Sequence, residues 1–243
     1  MKKIFTALFL VAGLAGSMQA QSLLDGLKKK VTGNSNSSGS GLSSDDIVGG
    51  LKQALTLGAR KSADRLSAVD GFFKDAAVKI LLPPQARNVE KTLRNLGMGK
   101  IVDDAILSIN RAAEDASKSA APIFVGAVKN MSVRDGLGIL RGADTAATGY
   151  LRKSTTPQLT GAFHPVIDSS LIKTGATKYW KDIFETYNKL PTTFRKVNPD
   201  LTGYVTQKAI DGIFYYVAQE EMKIRKDPAA QVTDLLKKVF GGK

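Results

Sequence analysis

The densest set of chemically useful side chains in this sequence lies in one stretch, GILRGADTAATGYLR, at residues 138–152. On a continuous helix, Arg141, Asp144, Thr145, Thr148 and Arg152 recur at three- and four-residue steps. At about 100° per residue they share one polar stripe. Ala143, Ala146, Ala147 and Tyr150 then face the other way. Two guanidinium groups flanking hydroxyls suit a carboxylate or a phosphate, because each planar fork donates parallel hydrogen bonds to either. The same residues also have a plainer reading. Gly142 can end one helix, Asp144 can cap the next, and the arginines can pair with neighbouring acids. These five are the candidate ligand- or partner-binding residues. No catalytic residue and no metal ligand is assigned.

Elsewhere the chemistry is sparse. The chain has no cysteine and one histidine, which excludes disulfides, thiolate metal sites, cysteine nucleophiles and any site needing two imidazoles. His164 precedes Pro165 in a largely apolar helical stretch, where a core or boundary histidine is the expected role. The sequence contains no Gly-x-Ser-x-Gly, no P-loop and no His-Glu-x-x-His. Asp211 interrupts the apolar run AIDGIFYYVA at 209–218. A buried carboxylate there needs a partner, since an unpaired buried charge is very costly, and an arginine is the expected one. Two function classes stay open. One is a non-catalytic binding protein for an apolar small molecule, a lipid or a protein partner. The alternative is an enzyme using carboxylates and arginines, for which a cleft joining Asp144, Asp211 or Glu220 to Arg141 would be needed. No cofactor is implied.

The ends of the chain speak to compartment. Lys2 and Lys3 precede an apolar run from Ile4 to Leu14 and small residues up to Ala20, the pattern of a signal peptide over residues 1–20 with cleavage between Ser17 and Ala20. The apolar run is shorter than the ~20 residues needed to span a bilayer. The protein is therefore expected in the periplasm or otherwise exported, and soluble once cleaved. The formal charge is +13. Residues 101–171 are neutral overall, so the basic excess lies on either side of them. An exported basic protein meets anionic membrane surfaces or other envelope components before nucleic acid, and no nucleic-acid motif accompanies the charge.

Residues 21–43 read as a basic amphipathic arm, with Leu23, Leu24, Leu27 and Val31 beside Lys28–Lys30, followed by a Ser/Gly-rich disordered linker. An all-helical domain over 44–243 follows. Ser44 with Asp45 and Asp46 reads as a helix start, and Val48, Leu51, Leu55, Ala59, Ala63 and Leu66 repeat as one buried face. Leu81 and Leu82 lie extended before Pro83 and Pro84. Further starts are read at Pro84, at Pro122, at Ser132 with Asp135, at Thr155 with Gln158, and at Asp227 with Pro228. The segment 209–218 is apolar nearly all round and is the expected centre of the core. No run alternates at period two, so no strand is expected. The fold class is all-α: a single compact bundle of about nine or ten helices.

Several of these stretches also carry a resemblance. LKQALTLGA (51–59), DGFF (70–73), KILLPP (79–84), SINRAAEDA (108–116), YNKLP (187–191) and above all GILRGADTAAT (138–148) make the chain similar to a bacterial exported family catalogued as domain of unknown function 4197. The resemblance covers about residues 45–241. It implies export, an all-helical structure and a single domain. It implies no activity, cofactor or catalytic residue.

Overall fold

The computed structural model describes residues 43–177 and 200–227, together with Trp180, Lys181, Asn188, Lys196, Gln231 and Lys237. The expected signal peptide, arm and linker lie outside these residues, as does the helix expected to start at Asp227 with Pro228, apart from Asp227, Gln231 and Lys237. All elements below belong to the compact unit Leu42–Lys243.

Helix α1 spans Ser44–Ser67. Its cap is Ser43, one residue before the expected start. The Ser43 hydroxyl accepts from the Asp46 amide at 3.1 Å, and the Asp46 carboxylate accepts from the Ser43 amide at 3.3 Å. This reciprocal box satisfies two backbone donors that the first turn leaves open. An irregular segment, 68–83, leads to a 3-10 turn at Pro84–Ala86. Then come α2 (Arg87–Asn95), α3 (Gly99–Ser117), α4 (Ala120–Lys129), α5 (Val133–Arg141), α6 (Ala146–Lys173) and α7 (Leu201–Lys226). The cap read at Ser132 is present: its hydroxyl accepts from the Asp135 amide at 3.1 Å.

The all-α class holds, and the described residues contain no strand. The count of about nine or ten helices is corrected: the described residues form seven. The clearest cause is α6. Thr155 with Gln158 reads as a helix start, yet both lie inside one 28-residue helix that also contains Pro157 and Pro165. Thr155 is buried, and its hydroxyl donates to the Leu151 carbonyl at 2.7 Å, so it caps nothing. An interior proline costs about 3 kcal/mol. Against that, Leu151, Leu159, Phe163, Ile167 and Leu171 on one face are all fully buried, each contributing about 1.5–3 kcal/mol. The buried stripe wins. Both prolines sit on the exposed side, where Lys153 and Gly161, whose carbonyls lose their amide partners, are also exposed. His164 lies on that same exposed side rather than in the core.

Helix α7 is the central element, packed against α6, α1 and α3. The main core cluster includes the fully buried rings of Phe72, Phe124, Phe163 and Phe214, and a small separate one joins Ala54 to Ile224. Phe124 and Phe214 meet edge to face, with ring centroids 5.5 Å apart. Phe72 enters from the irregular segment and lies over Gly212 of α7. A Cβ at position 212 would stand 2.6 Å from the Phe72 ring, so only glycine leaves room for it.

Candidate functional site

The five residues of the expected polar stripe do not lie on one helix. Helix α5 ends at Arg141 and Gly142 is its C-cap. A Cβ at Gly142 would fall 2.7 Å from the Ala146 Cβ, so the tight connection to α6 requires glycine. Arg141 is exposed at the end of α5. Asp144 is exposed and pairs with Lys226 of α7 at 2.6 Å. Thr145 is the N-cap position of α6, but its side chain makes no capping bond. Thr148 is buried and Arg152 is exposed. Arg152 donates to Asp211 at 3.0 Å and lies over the Phe214 ring at 4.4 Å, which supplies the arginine expected for that carboxylate. Glu220 pairs with Lys61 at 3.3 Å. The acids Asp144, Asp211 and Glu220 thus each take a different cationic partner, and none of these pairs is with Arg141.

What the connection does carry is a cap supplied from another helix. Glu221 of α7 is buried, and its carboxylate accepts from the amides of Ala147 and Thr148 at 2.9 and 2.8 Å and from the Thr148 hydroxyl at 2.8 Å. A carboxylate at a helix N-terminus meets both open amides and the positive end of the dipole. Arg225, one turn later, donates to Glu221 at 2.9 Å and to the Ile139 carbonyl at 2.9 Å. The pair therefore ties the end of α5 and the start of α6 to α7. Reading the sequence passed over Glu221, because a cap contributed from 70-odd residues away leaves no local spacing signal.

A second set of clamps holds the irregular segment 68–83. Glu114 of α3 is buried and accepts from the Phe72 and Phe73 amides, both at 3.1 Å. Arg111 joins Glu114 to Asp70, each at 2.6 Å. Asp70 is in the left-handed region, φ 69°, which aspartate tolerates better than most residues. Asn110, fully buried, accepts from the Ile80 amide at 2.9 Å and donates to the Ile80 carbonyl at 2.8 Å, replacing a strand neighbour with one side chain. Asp75 accepts from the Tyr216 hydroxyl and from Arg65, the latter at 2.9 Å.

Burial works against the Asp75 charge, but the bonds from Tyr216 and Arg65 outweigh it and hold the carboxyl below its ordinary value. A lowered folded pKa stabilises above the unfolded value of about 3.9 and is lost as pH falls through the folded one. Stability should therefore decline below about pH 4. Asp75→Asn should lower stability at neutral pH and flatten that decline, which urea midpoints across the range would read. An unchanged slope would show that Asp75 does not contribute.

The open chemistry lies beside these clamps. A cavity of about 510 Å³ sits between α2, α3 and the end of α6. Val89 and Leu93 of α2 and Val102, Ala105 and Ile109 of α3 line it, as does Trp180. Trp180 is almost fully buried. Val89 and Leu93 stand one turn apart, so α2 offers the cavity an apolar edge, although it has no fully buried residue. Ile101, which also lines the cavity, is about half exposed at 52%. Ser108 and Thr174 share a hydrogen bond of 2.7 Å at the polar edge. The site was missed from sequence because α2 reads as an ordinary amphipathic surface helix. Only the third dimension shows that its apolar edge is not fully covered.

The fold and this cavity define a single all-α domain that carries an apolar pocket and fixes its loops with buried ion pairs. Residues 41–241 match the family described as protein of unknown function (DUF4197), and the chain belongs to that family. No curated protein and no solved structure matches it. The stretch GILRGADTAAT, at 138–148, coincides with the connection that Glu221 and Arg225 hold.

Proposed function

We propose that this domain is a non-catalytic binding protein that holds an apolar small molecule, with an acyl chain as the best fit, between α2, α3 and Trp180. The observation that carries this reading is the cavity itself. Its 510 Å³ falls within the range of about 300–1,000 Å³ typical of small-molecule sites, and its lining is predominantly apolar, with Glu90, Asp104, Ser108, Arg111 and Thr174 as its polar members. The proposal includes export, supported by Lys2 and Lys3 ahead of the apolar run Ile4 to Leu14. No helix among the described residues is long and apolar enough to cross a membrane.

Trp180 is the chain's sole tryptophan, so its emission reports directly on the cavity. Titration with dodecanol should shift that emission saturably. Ala105→Phe should fill the cavity and weaken binding by about tenfold or more, a change of about 1.4 kcal/mol, with the helical circular-dichroism signal retained. Emission that does not saturate, or equal binding by folded Ala105→Phe, would overturn the reading.

A further inference from the structure

The wall residue Leu82 lines the apolar cavity on one side and a second depression, of about 410 Å³, on the other. The two depressions differ in character. The second is floored by Tyr204 and Tyr215 of α7 and receives Lys79, Arg87 and Lys208. Among the described residues, no carboxylate lies within ion-pair distance of these three cations. Lys79 rests over the Phe73 ring at 4.2 Å, and Lys208 stands 6.0 Å from the Tyr204 ring centre. The acid in the groove, Asp211, is already bonded to Arg152 at 3.0 Å and to Gln207 at 3.3 Å. Asp103, which lies within electrostatic reach of Lys79, is bonded to Arg94 at 2.8 Å. Three cations therefore line one depression beside an apolar cavity, with the local acids otherwise engaged. Arg87 opens α2, and Val89 and Leu93 of the same helix line the cavity. One short helix thus borders both depressions.

We infer that the ligand is an anionic single-chain lipid, a monoacyl phospholipid, whose chain fills the cavity and whose phosphate crosses Leu82 to lie among Lys79, Arg87 and Lys208. This rests on the binding reading above and adds the headgroup. Volume argues for one chain, since 510 Å³ is on the scale of a single acyl chain. Charge argues for the anion, since a phosphate can receive donors from an arginine fork and from lysine ammonium groups together. Tyr204 and Tyr215 provide the amphipathic surface that an interface between chain and headgroup favours.

The test is a Trp180 emission titration of the full chain with lysophosphatidylglycerol, lysophosphatidylcholine and monoacylglycerol of one chain length, each below its micelle concentration. Lysophosphatidylglycerol should bind about tenfold tighter than monoacylglycerol or better, and the margin should shrink as salt rises. The triple variant Lys79→Ala, Arg87→Ala, Lys208→Ala should erase that margin and leave monoacylglycerol binding unchanged. Should the triple variant fail to fold, Lys208→Glu alone, at an exposed position, should reduce the margin. Equal affinity for the anionic and uncharged lipids, or a margin that survives these substitutions, would overturn the headgroup assignment while the cavity reading stands. Absence of saturable binding by all three lipids would overturn both.

Discussion

Glu221→Ala should cost the domain about 3–5 kcal/mol, the range for removing one member of a buried ion pair. At roughly 2–4 °C per kcal/mol for a domain of this size, the melting temperature should fall by about 10 °C. Two losses combine. The Ala147 and Thr148 amides lose the acceptor that caps α6, and the Arg225 guanidinium, only 9% exposed, loses its bonds to Glu221. Glu221→Gln should cost less, because an amide oxygen can still accept from the helix end. Asp144→Ala, nearby but exposed, should change stability by about 1 kcal/mol at most. Equal melting temperatures for Glu221→Ala and Asp144→Ala would sink the assignment of Glu221 as the clamp between α5, α6 and α7.

Glu114→Ala should be comparably severe, at about 3 kcal/mol or more, and its effect should be local. The Phe72 and Phe73 amides lose their shared acceptor, and Arg111 is left with Asp70. Hydrogen exchange should accelerate first across residues 70–80. Because Leu82 continues this segment into the cavity wall, dodecanol binding should weaken in the same variant. Asp104→Ala, on the exposed side of the same helix, should leave exchange in that segment unchanged. If Glu114→Ala exchanges at 70–80 as the parent protein does, the segment is held by Phe72 packing and Asn110 rather than by Glu114.

The amphipathic stripes were legible because their cause is local. The face from Val48 to Leu66 turns inward at every third or fourth position, and the capping box at Ser132 needs only residues three apart. The all-α class follows from the same kind of reading, and the absence of cysteine chemistry from the composition alone. Asp211 was legible in a weaker sense: it does pair with an arginine, but its side chain is 43% exposed, so burial does not compel the pair, and nothing nearby in the chain says that the partner is Arg152. The helix count failed at Thr155 and Gln158. Both are start signals whose meaning depends on whether the face below them is buried, and five fully buried apolar side chains override them.

The polar residues were ranked less well, for a physical reason. Arg141, Asp144, Thr145, Thr148 and Arg152 attract notice because they are close in sequence. The connection at Gly142 separates their helices, and their partners, Lys226, Glu221 and Asp211, all come from α7. Glu221 and Glu114 look like ordinary surface acids in a helical pattern until packing removes them from water and leaves backbone amides as their partners. The cavity is a property of no single segment. Its walls come from α2, α3 and the end of α6, and the cationic groove beyond Leu82 draws on residues more than a hundred positions apart. Local periodicity settles which face of each helix is apolar, since burial of that face drives folding whatever it packs against. Which faces meet, which stay partly open and which charges end up next to them depend on long-range packing, and that packing was visible only in the assembled domain.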